Sequence, residues 1–177
     1  MSFHLLVDSP EFADRLLQDI SGARSRVYVQ AMTFDADRSG LRIARAIMDA
    51  VAPDRRVLID TVSRSIVSDR FIYSPRNWRD EELRREWEAT RNLAGKFSAR
   101  GVGARITNPY GRLWRRFFAR NHKKLVIIDG RISYLGGINF SDHNFAWHDM
   151  MLRVESPEVA AFLETDYLAT WEGRDQS

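Results

Sequence analysis

The stretch that most constrains this fold is Asn121-His122-Lys123-Lys124, four apolar residues from Leu125 to Ile128, then Asp129-Gly130 and a second run from Arg131 to Leu135. Four apolar residues are too few for a helix and suit a buried strand. Asp-Gly supplies the two positive-φ positions of a tight hairpin, so Arg131 to Leu135 reads as the returning strand. Strand residues two apart point the same way, which puts the imidazole of His122 and the ammonium of Lys124 on one face. The return brings Asn139 back towards the His122 end. A nucleophile-capable ring, a cation and an amide donor then converge, a combination better suited to a phosphodiester than to a carbonyl.

The rest of the chain reads as an α/β fold. Leu5 to Val7 is a short strand. Ser9-Pro10-Glu11 reads as N-cap, Pro and early acid of a helix with Phe12, Leu16 and Ile20 inward, ended by Gly22. Arg26 to Met32 is a strand, Leu41, Ala44, Met48 and Val51 share one face of a second helix, and Val57 to Ile59 is the next strand, ending in Asp60. This alternation predicts a mixed, mostly parallel sheet with helices on both faces. Residues 63 to 77 read as a loop. Arg79 to Arg100 reads as one long helix with Leu83, Trp87, Ala94 and Phe97 inward and Gly101 as its stop; its charges form a solvated face. Ala104 to Thr107 and His148 to Glu155 are strands, and Ser156-Pro157-Glu158 opens a last helix closed by Gly173. The polar tail from Arg174 to Ser177 reads as a terminus or the start of a linker.

A length of 177 residues predicts a single domain over 1–177. Without cysteine, neither disulfides nor a thiolate zinc site is available. No basic, apolar leader opens the sequence and no apolar run approaches the roughly 18 residues of a membrane span, so a cytoplasmic protein is expected, peripheral on the inner membrane face if it works on lipid. The net charge of +3 permits an anionic partner without naming one. Of 27 basic side chains only three are lysines, and two of those are Lys123 and Lys124.

His122-x-Lys124-x-x-x-x-Asp129 followed by Gly136-Gly137-x-Asn139 resembles the HKD motif of the phospholipase D superfamily. The flanking Arg120-Asn121-His122-Lys123-Lys124, Ile128-Asp129-Gly130-Arg131 and Trp147-His148-Asp149 resemble bacterial cardiolipin synthases, as does the stretch from Pro157 to Trp171. Gly137 weighs most here, since nuclease-like members usually carry Ser at that place. The resemblance implies a phospholipase D-like domain in which His122 attacks phosphorus to give a phosphohistidine. A second histidine protonates the departing alcohol and then deprotonates the incoming one. Lys124 and Asn139 would hold the phosphate oxygens. Asp129 would support the site, though as the first residue of an Asp-Gly turn it has a structural reason of its own. Asp149 would orient the nucleophilic imidazole. Gly136, Gly137 and Arg120 fall on the substrate-binding side. Neither metal nor cofactor is implied, and His143, His148, Asp142 and Asp149 match no familiar ligand spacing.

Only one motif is present, because His4, His143 and His148 are followed two residues on by Leu6, Phe145 and Met150. The mechanism needs two. A second HKD domain must come from a homodimer or from a C-terminal half of a longer protein. The expected reaction is phosphatidyl transfer on phosphatidylglycerol. The alternatives are a single-motif phosphodiesterase acting on phospholipid or nucleic acid as a homodimer, and a non-catalytic half-domain. Between Gly111 and Lys124, six cations interleave with Leu113, Trp114, Phe117 and Phe118. That segment fits a membrane interface, a nucleic-acid groove or a core-packed turn, with nucleic acid the weakest of the three.

Overall fold

The computed structural model describes residues 1–111, 118 and 120–174. In chain order the elements are β1 (Ser2–Val7), α1 (Ser9–Gly22), β2 (Arg26–Ala31), α2 (Arg38–Asp49), β3 (Asp54–Asp60), β4 (Ile66–Val67), β5 (Arg70–Phe71), α3 (Pro75–Trp78), α4 (Glu81–Arg91), α5 (Leu93–Ala99), β6 (Gly103–Thr107), β7 (Leu125–Ile128), β8 (Ile132–Gly136), α6 (Asp142–Phe145), β9 (Met150–Glu155) and α7 (Pro157–Trp171). Seven strands form one sheet in the order β1-β9-β8-β7-β2-β3-β6, and β4 pairs with β5 in a separate ribbon. No helix among the described residues is long and apolar enough to cross a membrane. Of the arginine- and aromatic-rich segment, 112–117 and 119 lie outside the described residues, as do 175–177 of the polar tail.

The sheet is mixed, as expected, but its balance differs. Only β2-β3 and β3-β6 pair in parallel; β7 joins β2 antiparallel, and so do the remaining pairs out to β1. A two-residue turn can only return antiparallel, which fixes β8 against β7. β9 and β1 then add antiparallel along the same edge. Asp129 and Gly130 both have positive φ (53° and 61°), the backbone that such a turn requires.

Side-chain alternation along β2 sorts the two faces. Val27, Val29 and Ala31 join Val57, Ile59, Val126 and Ile128 against α1, α2 and α5. Tyr28 joins Leu58, Leu125 and Ile127 under α7, where Tyr28 stacks on Tyr167 with centroids 5.0 Å apart. Phe12, Leu16 and Ile20 of α1 are fully buried, each contributing about 2 kcal/mol of transfer free energy.

Several local readings shift. Ser9 opens α1 rather than capping it, and its hydroxyl donates to the Phe145 carbonyl instead. In α2 the buried stripe is Gly40, Ile43, Ala44 and Ile47, while Val51 lies beyond the helix and is exposed. The long helix is divided: Asp80 caps α4 through Leu83 N, and Asn92 ends it before α5. The stretch from 63 to 77 is ordered by the β4-β5 ribbon and α3 rather than being a plain loop.

Candidate active site

The site forms at one end of the sheet, where the chain enters β7, leaves β2, β3 and β8, and approaches β9. His122 and Lys124 stand just ahead of β7. The Lys124 ammonium folds back to donate to the His122 carbonyl oxygen at 2.8 Å. It is half-buried, and loss of solvation holds its pKa below the ordinary lysine value, partly offset by the Asp149 carboxylate. An ammonium without full hydration, with two N–H groups uncommitted to that carbonyl, is suited to an anionic oxygen.

Asn139 reaches the site from the loop after β8. Its Oδ1 accepts from Thr33 N at 3.1 Å, and its neighbour Phe140 bridges to Phe34 beyond the end of β2. With the carbonyl oxygen so occupied, the Nδ2 amide is the end left to donate. The residue is 8% exposed, so this donor sits in a fixed frame.

Gly136 and Gly137 are there because β9 comes close. A Cβ at Gly136 would stand 2.3 Å from the Met150 carbonyl oxygen, and one at Gly137 would stand 2.2 Å from Asp149 Oδ1. Asp149 therefore packs on Gly137 and accepts from Met150 N at 2.7 Å. The expected hydrogen bond from the His122 ring to the Asp149 carboxylate is not among those of the described residues. Exposed and without a ring hydrogen bond among the described residues, His122 is the open side of the site.

Two expected site residues sit elsewhere. Asp129 is at the opposite end of β7, where its carboxylate accepts from Arg24 N, Ser25 N, Ser25 Oγ and Arg26 N. These donors outweigh burial and hold its pKa below the ordinary value. It staples the hairpin to the start of β2, so any support it gives the site is through the hairpin. Arg120 is a buried strut beneath the approach to His122. Its Nη1 donates to Asp60 Oδ1 and to the Asn108 carbonyl, both at 2.9 Å, and its guanidinium lies 4.9 Å from the Tyr110 ring centroid.

Asp60 was legible only as the end of β3, yet it organises this corner. Only 1% exposed, it also accepts from Asn121 N at 3.0 Å, Asn108 Nδ2 at 2.8 Å and Val62 N at 2.9 Å. Its position at the carboxyl end of a parallel strand, where α/β sheets place their sites, was the available signal.

Other acids converge nearby. A carboxylate oxygen from each of Asp35, Asp37 and Glu86 lies within 4.8 Å of the others, a grouping that could accept a cation. Burial pushes Asp35 up to about 8, helped by Asp37, Glu86 and Asp69 and opposed by the Ser68 N–H. Two further histidines pair outside the motif, His143 with Asp69 and His148 with Asp8, both at 3.1 Å.

With that geometry in place, known proteins give the chain its relatives. The family model described as cardiolipin synthase, PLD-like domain, matches residues 16–171. The chain belongs to this phospholipase D-like family. Cardiolipin synthase 1 of Staphylococcus aureus (strain MRSA252) is 26% identical over 174 residues, covering 93% of this chain and 31% of that protein. Cardiolipin synthase B of Salmonella typhi is 26% identical over 171 residues, covering 90% and 36%. The chain thus spans about a third of the length of these curated relatives. Among solved structures, NucT from Helicobacter pylori matches with a TM-score of 0.67 at 17% identity, covering 97% of each chain. Nuc from Salmonella typhimurium, a phospholipase D family member, matches at 0.66 and 18%, covering 97% and 95%. The phospholipase D-like family match covers most of the chain, and the fold of these solved structures extends over nearly all of it.

Proposed function

We propose that this chain is one half of a cardiolipin synthase-type phosphatidyltransferase acting on phosphatidylglycerol. The observation that supports the reading is that the His122 loop, the Lys124 ammonium and Asn139 all lie at the same end of the sheet, in a chain matched over residues 16–171 by a cardiolipin synthase family model.

A His122 ring nitrogen attacks the phosphorus of one phosphatidylglycerol. The P–O bond to the headgroup glycerol breaks, and glycerol leaves with a proton from a second imidazole. The resulting phosphatidyl-His122 is attacked by a hydroxyl of another phosphatidylglycerol. The second imidazole takes that proton, and the P–N bond breaks to release cardiolipin. Lys124 and Asn139 donate to the non-bridging oxygens as charge builds on them. Asp149, seated on Gly137, holds Lys124 charged by its field. Arg120, Gly136 and Gly137 then serve the substrate indirectly, by shaping the wall and the β8-β9 approach.

The second imidazole has to come from another HKD unit, a second copy of this chain or another half of a longer polypeptide. Two of the other three histidines support that assignment, since His143 and His148 are paired with Asp69 and Asp8. Contact with the membrane would be peripheral.

The test is product identification. Phosphatidylglycerol labelled in the headgroup glycerol is incubated with the protein, and lipid and water phases are resolved. Release of labelled glycerol with formation of cardiolipin supports the transferase. Phosphatidic acid instead of cardiolipin marks a hydrolase on the same phosphohistidine route, and turnover of single-stranded DNA but no lipid overturns the lipid reading.

A further inference from the structure

We propose that the insertion between β3 and α4, residues 61–80, is a membrane-docking platform that sets the active site against an anionic phospholipid surface. This inference rests on the reading of the substrate as phospholipid.

The insertion is anchored around the site. It starts at Asp60, the carboxylate that holds Asn121 beside His122. The Tyr110 hydroxyl donates to Ser65 Oγ at 2.6 Å, Ser68 N donates to Asp35 Oδ2 at 3.0 Å, and Asp69 meets His143, four residues past Asn139, at 3.1 Å. The insertion is thereby fixed to the segments before His122, after β2 and after Asn139, so whatever it binds is held at the mouth of the site.

Its outer surface has the chemistry of a bilayer interface. Phe71, Tyr73 and Trp78 are 39%, 46% and 44% exposed, three large rings within eight residues. They are gathered around the buried Trp87: Tyr73 and Trp78 stand edge-on to it at 6.2 Å and 5.6 Å, and Phe71 stands edge-on to Tyr73 at 5.6 Å. Trp87 itself is fastened by its indole N–H to the Arg64 carbonyl at 2.8 Å. The segment carries four arginines and two aspartates. Both aspartates are paired, Asp80 with Arg70 and Asp69 with His143. Arg64, Arg76 and Arg79 are exposed and join no ion pair among the described residues, so the segment that carries the apolar rings is itself net positive, ahead of the exposed Glu81 and Glu82. Aromatic rings at headgroup depth, with arginines on phosphates, are how proteins sit on anionic membranes. Strand-binding platforms for nucleic acid instead present successive ring faces along a groove. Here the rings turn edges and faces towards one another and make a compact knob.

The experiment compares wild type with a Phe71→Ser/Tyr73→Ser/Trp78→Ser variant and an Arg76→Glu/Arg79→Glu variant, each first shown to melt as wild type does. Co-sedimentation uses sucrose-loaded vesicles of phosphatidylglycerol and of phosphatidylcholine. Wild type is expected to partition onto phosphatidylglycerol vesicles, and the triple variant roughly tenfold less. The arginine variant is expected to lose the preference for phosphatidylglycerol over phosphatidylcholine. Turnover of vesicle substrate falls with binding, while turnover of a short-chain, monomeric phosphatidylglycerol stays unchanged. A folded triple variant that binds vesicles as wild type does, or a wild type that binds neither vesicle, overturns the proposal. So does single-stranded DNA binding, without vesicle binding, that the triple variant abolishes. Short-chain substrate left untouched by every form would instead sink the lipid reading of the site, with vesicle binding still judging the platform.

Discussion

The ammonium of Lys124 shows how a single residue is tuned by its surroundings. Its folded-state pKa lies below the ordinary 10.5 because it is desolvated, and Asp149 pulls the other way. The cation is lost as pH rises through that depressed value. Activity should therefore have an alkaline limb below pH 10.5, and Asp149→Asn should move the limb lower still in a pH–rate profile. Asp35 works in the opposite direction. Its pKa is raised from 3.8 to about 8, so the folded state binds a proton more tightly than the unfolded chain does. Stability should fall as pH rises from about 4 to about 8, with a slope of up to about 1.4 kcal/mol per pH unit, and level off above. Denaturant melts at pH 6 and pH 8 should show this difference in wild type and a much smaller one in Asp35→Asn. At this scale the candidate motif is readable in the sequence, because His122, Lys124 and Asn139 are the side-chain types that the proposed chemistry needs. Asp35 and Asp60 were not readable. An aspartate's partners are set by tertiary packing, and nothing local distinguishes a buried hub from a surface acid.

Among the elements, the β7–β8 hairpin was legible to within a residue of its bounds, since a short apolar run and Asp-Gly leave little choice of backbone; His122 and Lys124, expected on the strand, instead precede it. The Asp129 staple explains why that turn needs an acid as well as a positive φ: its carboxylate closes the start of β2 against the hairpin. The parallel half is held differently, through Asp60 at the end of β3. Asp60→Ala would leave the guanidinium of Arg120, 7% exposed in its side chain, without its buried counter-charge. The expected cost is about 3–5 kcal/mol, read as a lowered denaturant midpoint, with loss of turnover because Asn121 is no longer held beside His122. Asp60→Asn, which keeps the shape, should recover part of the stability. The long helix expected from Arg79 to Arg100 failed for a local reason: Asp80 and Asn92 are good end residues inside a continuous amphipathic pattern. Periodicity sees the inward residues and not the caps.

For the whole molecule, the proposed two-imidazole reaction would make assembly part of catalysis, because the chain has one HKD motif. The alternation of strands and helices foretold an α/β sheet covered on both faces. It could not foretell that β7 to β1 would add antiparallel, because that depends on where the hairpin docks. If a second copy completes the site, light scattering at working concentration should give twice the chain mass of 20.5 kDa. Specific activity should then fall on dilution through the dissociation range. A monomer with undiminished specific activity would remove the need for a second imidazole.

The most direct measurement is a rapid acid-free quench of the protein with phosphatidylglycerol labelled at phosphorus, followed by peptide mapping. The reading here expects label on the peptide containing His122, stable to base and released by acid, and absent from His122→Ala. Steady turnover with no label on that peptide, or turnover that survives His122→Ala, would contradict it.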